Sequence, residues 1–512
     1  MGFFNLYIHN ETLSGFFPYI GEVLLLIGIL LVLIQSLFLS TEKYFTLIDY
    51  SSKIAIYILA VIQFFNILNF NFLSTTSSKI YISFLSSFLV VNTEILAFKI
   101  FMLFLSILII MFSINFFKET LMGYFEYNIL VLCGLFGALI TLSANDFLIL
   151  YISLEIQALS FYIIATVKKS AHSTEAGLKY FIIGSFSSSL LLFGISIIVL
   201  LTGQYNFDNI QSFLYFYNSK YTSLLDLILF FGVFLIFTAF FVKLAIAPFH
   251  EWVADIYEGI LTPTALLFST VPKISLFIIL IKLFQNTFIS LFFILQPFFI
   301  FCCFFSLILG SLSALKTQNI KRFLAFSSVN HFGFMLIGII ASTTAGINAS
   351  LLYLFIYIGL TFGMWSLLIL LSYTRINGIN RSFYQLTKIT ELGDLIKNNP
   401  GLTFFAFTIL LSMGGIPPLA GFTAKVSVLY SLIENADSFI SSFQNITGLG
   451  FNLILLAAFF SSVLSVGYYL RIIKILFFKT NNNTTPVFNI NPFLTLILGS
   501  ICAFNLFLML VI

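Results

Sequence analysis

Charge is scarce in this sequence. Of 512 residues only 42 are charged at neutral pH, 23 Lys or Arg and 19 Asp or Glu. That is 8% of the chain, against about 25% in an average soluble domain. Hydrophobic residues make up 60%, and the mean hydropathy is +1.09. A soluble chain could not hide that much apolar surface, so a soluble enzyme, a nucleic-acid binder and a disordered scaffold are excluded. The net charge of +4 is too small to imply a nucleic-acid partner. Cysteine is equally scarce. Cys133, Cys302, Cys303 and Cys502 lie in apolar runs with no C-x-x-C pair, which indicates neither a metal site nor a disulfide framework. Short alternating strands are missing as well, which excludes a β-barrel. Residues 1–16 lack a basic n-region, and the first apolar run is long enough to span a bilayer, so no cleavable signal peptide is expected. Alanine is sparse and Phe abundant, at 68 residues. This reads as a bias of AT-rich coding in a small organellar or parasite genome, since Phe does no more for a lipid-facing helix than Leu.

Long apolar runs are what the chain does have. A span needs about 20 apolar residues, and fourteen such runs are found. They cover roughly 17–39, 52–72, 94–115, 126–144, 146–166, 178–202, 223–247, 262–284, 288–313, 320–342, 346–373, 400–433, 449–478 and 491–511. The connections are short, so one all-α polytopic membrane domain is expected, without a soluble module. Sixteen Lys or Arg fall in or beside the connections after odd-numbered runs, among them Lys168, Lys169, Lys316, Lys321 and Arg322. Only Lys79, Lys99, Lys220 and Lys282 fall on the other side. The asymmetry puts the odd connections on the cytoplasmic or matrix side and both termini opposite.

Two runs are irregular. Run 400–433 would make a helix of about 51 Å, too long for a core of about 30 Å. Gly414-Gly415-Ile416-Pro417-Pro418 sits in its middle, where missing N–H groups and flexible glycines favour a break. Ala247-Pro248-Phe249-His250 interrupts the seventh run in the same way. Paired breaks in two halves of a chain point to a transport site between inverted repeats. Runs 4–8 and 9–13 are both five-helix units, and each break falls in the fourth helix of its unit. The expected organisation is residues 1–120 as N-terminal helices, 126–284 as a first repeat, 288–478 as a second, and 491–511 as a C-terminal helix.

An ionisable residue mid-span costs at least about 2.5–3.5 kcal/mol. Glu155, Lys243, Lys273 and Lys425 stand there, and His250, His331 and Glu22 lie within or near spans. Desolvation disfavours an ammonium, and a neighbouring carboxylate restores it. A Lys–Glu pair such as Lys243 and Glu155 is therefore tunable, and histidine can relay between lysines. The alternatives are structural. Either histidine could be a helix–helix polar contact. Glu22 could snorkel to the interface and Lys179 could be an interfacial anchor. Asp146 reads as a helix cap, and Asp255 and Glu258 as solvated. Histidines are too few for bis-histidine haem, and no phosphate or flavin fingerprint occurs.

These residues resemble the antiporter-like membrane subunits of respiratory NADH dehydrogenase (complex I), and within them subunit 2. Leu154-Glu155-Ile156-Gln157-Ala158-Leu159-Ser160-Phe161-Tyr162 is similar to the fifth helix, and Ser173-Thr174-Glu175-Ala176-Gly177-Leu178-Lys179-Tyr180 to the start of the sixth. Lys243 through Ala247-Pro248-Phe249-His250 to Asp255-Ile256-Tyr257-Glu258-Gly259 resembles the seventh-helix break, and Pro272-Lys273-Ile274-Ser275 the eighth helix. Gly415-Ile416-Pro417-Pro418-Leu419-Ala420-Gly421-Phe422 with Lys425 resembles the twelfth. The likeness covers about residues 120–480. Subunit 4 usually carries Glu where Lys425 stands, subunit 5 has a lateral helix that this chain lacks, and plastid homologues differ around Pro248-Phe249-His250-Glu251-Trp252.

The resemblance implies fourteen helices, two inverted repeats and a proton-translocating role. Glu155 and Lys243 would couple in one half-channel. Lys273 would be the central relay and Lys425 the terminal lysine, with His250 and His331 on the hydrated axis. Lys179 matches a family lysine. NADH, FMN, iron–sulfur clusters and ubiquinone would be handled by other subunits, with no cofactor or metal bound by this chain. Partners would be neighbouring membrane-arm subunits and lipids, in the mitochondrial inner membrane with both termini on the intermembrane-space side. A stand-alone cation/proton antiporter and a structural spacer of the membrane arm remain open.

Overall fold

In hydrocarbon every backbone N–H and C=O must find a partner within the chain, and a helix supplies them locally. The computed structural model describes residues 19–39, 44–75, 82–84, 88–120, 126–216, 224–377, 380–384, 386–395, 399–440, 446–478 and 492–511. Segment 1–16 and part of connection 73–93 lie outside the described residues.

The N-terminal elements are α1 (Ile20–Leu39), α2 (Tyr44–Thr75), a hairpin of β1 (Ile82–Phe84) and β2 (Leu89–Val91), and α3 (Thr93–Thr120). Then come α4 (Glu126–Ser143), α5 (Phe147–Thr166), α6 (Ala171–Thr202), α7 (Phe207–Phe216), α8 (Leu224–Leu244), α9 (Glu251–Gly259) and α10 (Thr262–Lys282). The rest comprises α11 (Phe292–Lys316), α12 (Ile320–Ile340), α13 (Thr344–Leu370) and a hairpin of β3 (Tyr373–Asn377) and β4 (Asn380–Tyr384). It ends with α14 (Pro400–Gly414), α15 (Ala420–Ile440), α16 (Ile446–Phe478) and α17 (Pro492–Val511).

Every apolar run falls on a helix, and run 400–433 on two. Among the described residues, 11 helices are long and apolar enough to cross a membrane, with Ile20–Ser36, Pro400–Gly414 and Pro492–Leu506 as shorter apolar helices. Both expected breaks are present. The first begins earlier than the proline suggested, because Ala245 takes φ 59 and ends α8 at Leu244. Three further elements were not expected. The short amphipathic α7 buries Phe207, Ile210 and Leu214, a stripe too brief for a 20-residue apolar window to register. The two hairpins sit in connections, paired Ile82↔Val91 and Tyr373↔Tyr384.

The chain divides into two compact units. The first takes Met1–Lys169, Gly184–Phe240 and Val271–Ser290; the second takes Ser170–Ile183, Phe241–Thr270 and Leu291–Ile512. In the first, α4 lies so close to α5 at Gly137 that a Cβ there would meet Ser153 O and Gln157 N, both at 2.8 Å. In the second, α12 is buried almost all round. Leu456, Phe459 and Val463 of α16 stand exposed at i, i+3 and i+7, an apolar stripe suited to lipid or to another subunit.

One reading of charge is corrected in the first unit. Glu22 does not snorkel. It is 8% exposed and ion-paired with Lys99 of α3, itself 1% exposed. Lys282, at the end of α10, also finds its partners within this unit. Its ammonium donates to the Ala144 carbonyl at 2.6 Å and lies 5.6 Å from the Phe207 ring centre. Sequence cannot see such partners, which are 77 and 138 residues away.

Candidate proton-transfer site

In the first unit the site is built on α5 and α10. Asp146 caps α5 as expected, its side chain accepting from Leu148 N at 2.8 Å. Burial pushes its carboxyl up, and the N–H groups of Leu148 and Ile149 pull it back. Leu150, Ser153, Leu154, Gln157, Ser160 and Phe161 make the buried face of this helix, and Glu155 sits half-buried at its edge. Among the described residues, Glu155 Oε1 is shielded from solvent and has no hydrogen-bond partner. A buried acceptor left open in this way is one that a proton or a donor would satisfy. Lys273 on α10 is 5% exposed. Pro272 lies inside this helix, which removes one N–H from the ladder one residue before Lys273. Gln157 Nε2 donates to Ser275 Oγ at 3.5 Å and ties α5 to α10.

In the second unit the first break carries half-buried Lys243, in the last turn of α8, and buried His250. Backbone groups freed by the break are reused. Ile246 N donates to Phe241 O at 2.9 Å, and Trp252 Nε1 donates to Val242 O at 3.1 Å. His250 Nδ1 lies 3.3 Å from Pro248 O. Beyond the break, α9 is held by cations. Lys179 contacts Asp255 at 3.0 Å and Glu175 at 2.9 Å, Arg322 reaches Asp255 at 2.9 Å and also pairs with Glu258, and Lys321 donates to the Ile260 carbonyl at 2.6 Å. Lys179 is thus neither a bare interfacial anchor nor a member of the buried set, and Asp255 and Glu258 are ion-paired rather than simply solvated. Glu155 and Lys273 belong to the first unit, and Lys243, His250, His331 and Lys425 to the second.

The second break is the most completely built. α14 ends on Gly415, whose φ of 80 is left-handed, with Gly415 N bonded to Leu411 O and Ser412 O. Gly421 closes the turn. Its N–H donates to Ser412 Oγ at 3.2 Å, and a Cβ there would lie 1.7 Å from Ser412 O. This return aims Lys425 back at the end of α14. Its Nζ donates to the Gly414 carbonyl at 2.7 Å and to Ser465 Oγ at 2.9 Å, and lies 5.2 Å from the Phe334 ring centre. A helix C-terminus favours a cation, so a buried amine is held where its protonated form has two oxygen acceptors. His331 on α12 is 3% exposed, with Nδ1 2.9 Å from Tyr353 OH and Nε2 3.2 Å from Tyr469 OH. A cavity of about 10 Å³, near the least that holds one water, is lined by His331, Tyr353, Ser412 and Gly421. Sequence reasoning missed Tyr353, Tyr469 and Ser465. The one signal was the adjacent Tyr468-Tyr469 pair within the thirteenth apolar run.

A model of the NADH:quinone oxidoreductase/Mrp antiporter transmembrane family matches residues 144–450. The chain belongs to this antiporter-like family. Among its members, NADH-ubiquinone oxidoreductase chain 2 of Marchantia polymorpha is 35% identical over 383 residues, 75% of this chain and 73% of the relative. NADH-quinone oxidoreductase subunit N of Ruthia magnifica is 32% identical over 486 residues, 94% and 93% of the two chains. The fold extends the likeness. A chain of respiratory complex I from Thermus thermophilus superimposes with a TM-score of 0.74 at 21% identity, covering 96% of this chain and 97% of that one. A chain of the Mrp complex from Dietzia gives 0.75 at 16% identity, covering 96% and 94%. The fold is therefore shared at identities of 21% and 16%.

Proposed function

We propose that this chain is a proton-translocating membrane-arm subunit of a respiratory complex I, coupling NADH:ubiquinone oxidoreduction in other subunits to proton movement through its own buried groups. The observation that carries this reading is Lys425, a buried amine aimed at the open end of a broken helix, where two oxygens accept its protons. Glu155 and Lys243 would form the coupled pair of a first half-channel, Lys273 the central relay and Lys425 the terminal donor. His250 and His331 would stand on the axis between them, and Lys179 is secondary. The two breaks fit two inverted five-helix repeats in a fourteen-span topology. Relatives named as chain 2 and subunit N support assignment to the same subunit. The chain does no redox chemistry in this reading. Its Phe-rich composition, read as a trace of AT-rich coding, supports a mitochondrial origin, with the basic connections on the matrix side.

Lys243→Ala and Glu155→Ala are expected to lower proton pumping and coupled quinone reduction while the complex still assembles. Normal pumping by a correctly assembled Lys243→Ala complex would sink the relay. Likeness to an Mrp chain also allows a stand-alone antiporter. Exchange of Na⁺ or K⁺ for H⁺ by the purified chain alone in liposomes would favour the antiporter, whereas co-migration with an NADH-oxidising complex supports a complex I subunit.

A further inference from the structure

We infer that Tyr353 and Tyr469 act as positioning residues for His331, a pair of hydroxyls that lets this buried imidazole gain and lose a proton without orphaning a hydrogen bond. The inference rests on the proposed proton path and adds residues to it that the motifs do not contain. A neutral imidazole has one donor and one acceptor nitrogen, an imidazolium has two donors, and a tyrosine hydroxyl can serve as either partner. His331 has such a hydroxyl at each nitrogen, at 2.9 Å and 3.2 Å. In the neutral ring one tyrosine accepts and the other donates. When the ring takes up a proton on its accepting nitrogen, the tyrosine that had donated there must turn its own hydrogen elsewhere and accept instead.

Both tyrosines have somewhere to turn. Tyr353 borders the cavity that His331 shares with Ser412 and Gly421 at the second break. Tyr469 packs against Tyr468, their ring centres 4.6 Å apart, and the Tyr468 oxygen accepts from Asn330 Nδ2 at 3.3 Å. Proton uptake therefore costs one hydroxyl rotation, and the N–H formed on the ring replaces the O–H bond of the hydrated proton that supplies it. If the proton then leaves from the opposite nitrogen, the ring has carried one proton across itself. A histidine kept only for packing needs one fixed tautomer, and a fixed donor such as an amide on one side would serve it as well. Two reversible partners fit a ring that changes state.

Tyr353 and Tyr357 from α13 and Tyr469 from α16 face the ring, Tyr468 packs on Tyr469, and Cys303 from α11 is bonded to Gly333 O, two residues along α12 from His331. From α15, the Lys425 ammonium lies 5.2 Å from the ring centre of Phe334, which stacks on Tyr353 at 6.1 Å.

The test uses the assembled complex in proteoliposomes, carrying Tyr353→Phe, Tyr469→Phe or His331→Gln. Each Phe keeps the ring packing and deletes one hydroxyl. The Phe variants are expected to lower the proton-to-electron ratio several-fold. The alkaline limb of their pumping profile should move to lower pH, because the protonated ring has lost an acceptor. His331→Gln keeps two hydrogen-bonding groups but cannot carry a proton, so it should assemble and fail to pump. Phe variants that pump with the original ratio and pH profile overturn the inference. If they do so while Lys425→Met is inactive, only the tyrosine role falls. If Lys425→Met also pumps normally, the proton path itself is wrong.

Discussion

Gly415→Ala changes no ionisable group, yet it should disable the second break. Gly415 sits at φ 80, a conformation that costs an L-residue about 1–2 kcal/mol. A Cβ there would lie 2.8 Å from Lys425 Cδ and 3.1 Å from Nζ. The first separation is below any real Cβ contact, so the lysine stem must move. Its bonds to the Gly414 carbonyl and Ser465 are then lengthened or lost, at about 1.5–3 kcal/mol if the amine is protonated. The backbone cost of about 1–2 kcal/mol falls on stability, whereas the loss of about 1.5–3 kcal/mol at Lys425 falls on the transfer step, and since each 1.4 kcal/mol or so is tenfold in rate, proton transfer through Lys425 should slow by about tenfold or more. The assay is dye quenching by acidified proteoliposomes that hold the whole complex, normalised to NADH oxidation by the same sample. Thermal inactivation measured alongside reports the stability share. A Gly415→Ala complex with wild-type pumping and stability would refute the argument that the left-handed cap aims Lys425.

The remaining predictions concern the first unit. Removing one partner of the buried Glu22–Lys99 pair leaves an uncompensated charge, a loss of about 3–5 kcal/mol. Glu22→Gln or Lys99→Met should therefore lower the amount of assembled complex on native gels, and the double variant should recover part of it. No recovery in the double variant would show that the pair is not the cause. Asp146→Ala should cost about 1 kcal/mol of stability through the lost N-cap of α5, read as faster thermal inactivation. Asp146→Asn keeps the cap. Burial raises the Asp146 carboxyl, so its titration favours the fold only at acid pH and that gain fades as pH rises. Asn is therefore expected to match or exceed Asp near pH 7, and a loss equal to that of Ala would refute the capping role.

Much of the site was legible because lipid makes polarity conspicuous. Lys273 and Lys425 stand out among apolar neighbours, and the prolines at 248 and 417–418 mark both interruptions. What each charge touches was not legible. Glu22 and Lys99 read as ordinary end residues, since nothing in sequence links positions 77 apart. Asp255 and Glu258 read as solvated because their cations come from other helices, Lys179 from α6 and Arg322 from α12. The Ala245 turn was hidden for a local reason. A left-handed alanine carries no compositional mark, so Pro248 drew the break too late.

Composition and run length alone determined that the chain is a multi-helix membrane protein. A bilayer offers its backbone no hydrogen bonds, so helix formation follows from local sequence. The scarcity of charge made Glu155, Lys243, Lys273 and Lys425 visible for the same reason. Tertiary structure decided how those groups are held. Only packing brings Ser465 to Lys425, or places Tyr353 and Tyr469 on opposite sides of His331, 22 and 138 residues away. Proton transfer depends on separations of about 3 Å, and such distances are set by which helix faces meet.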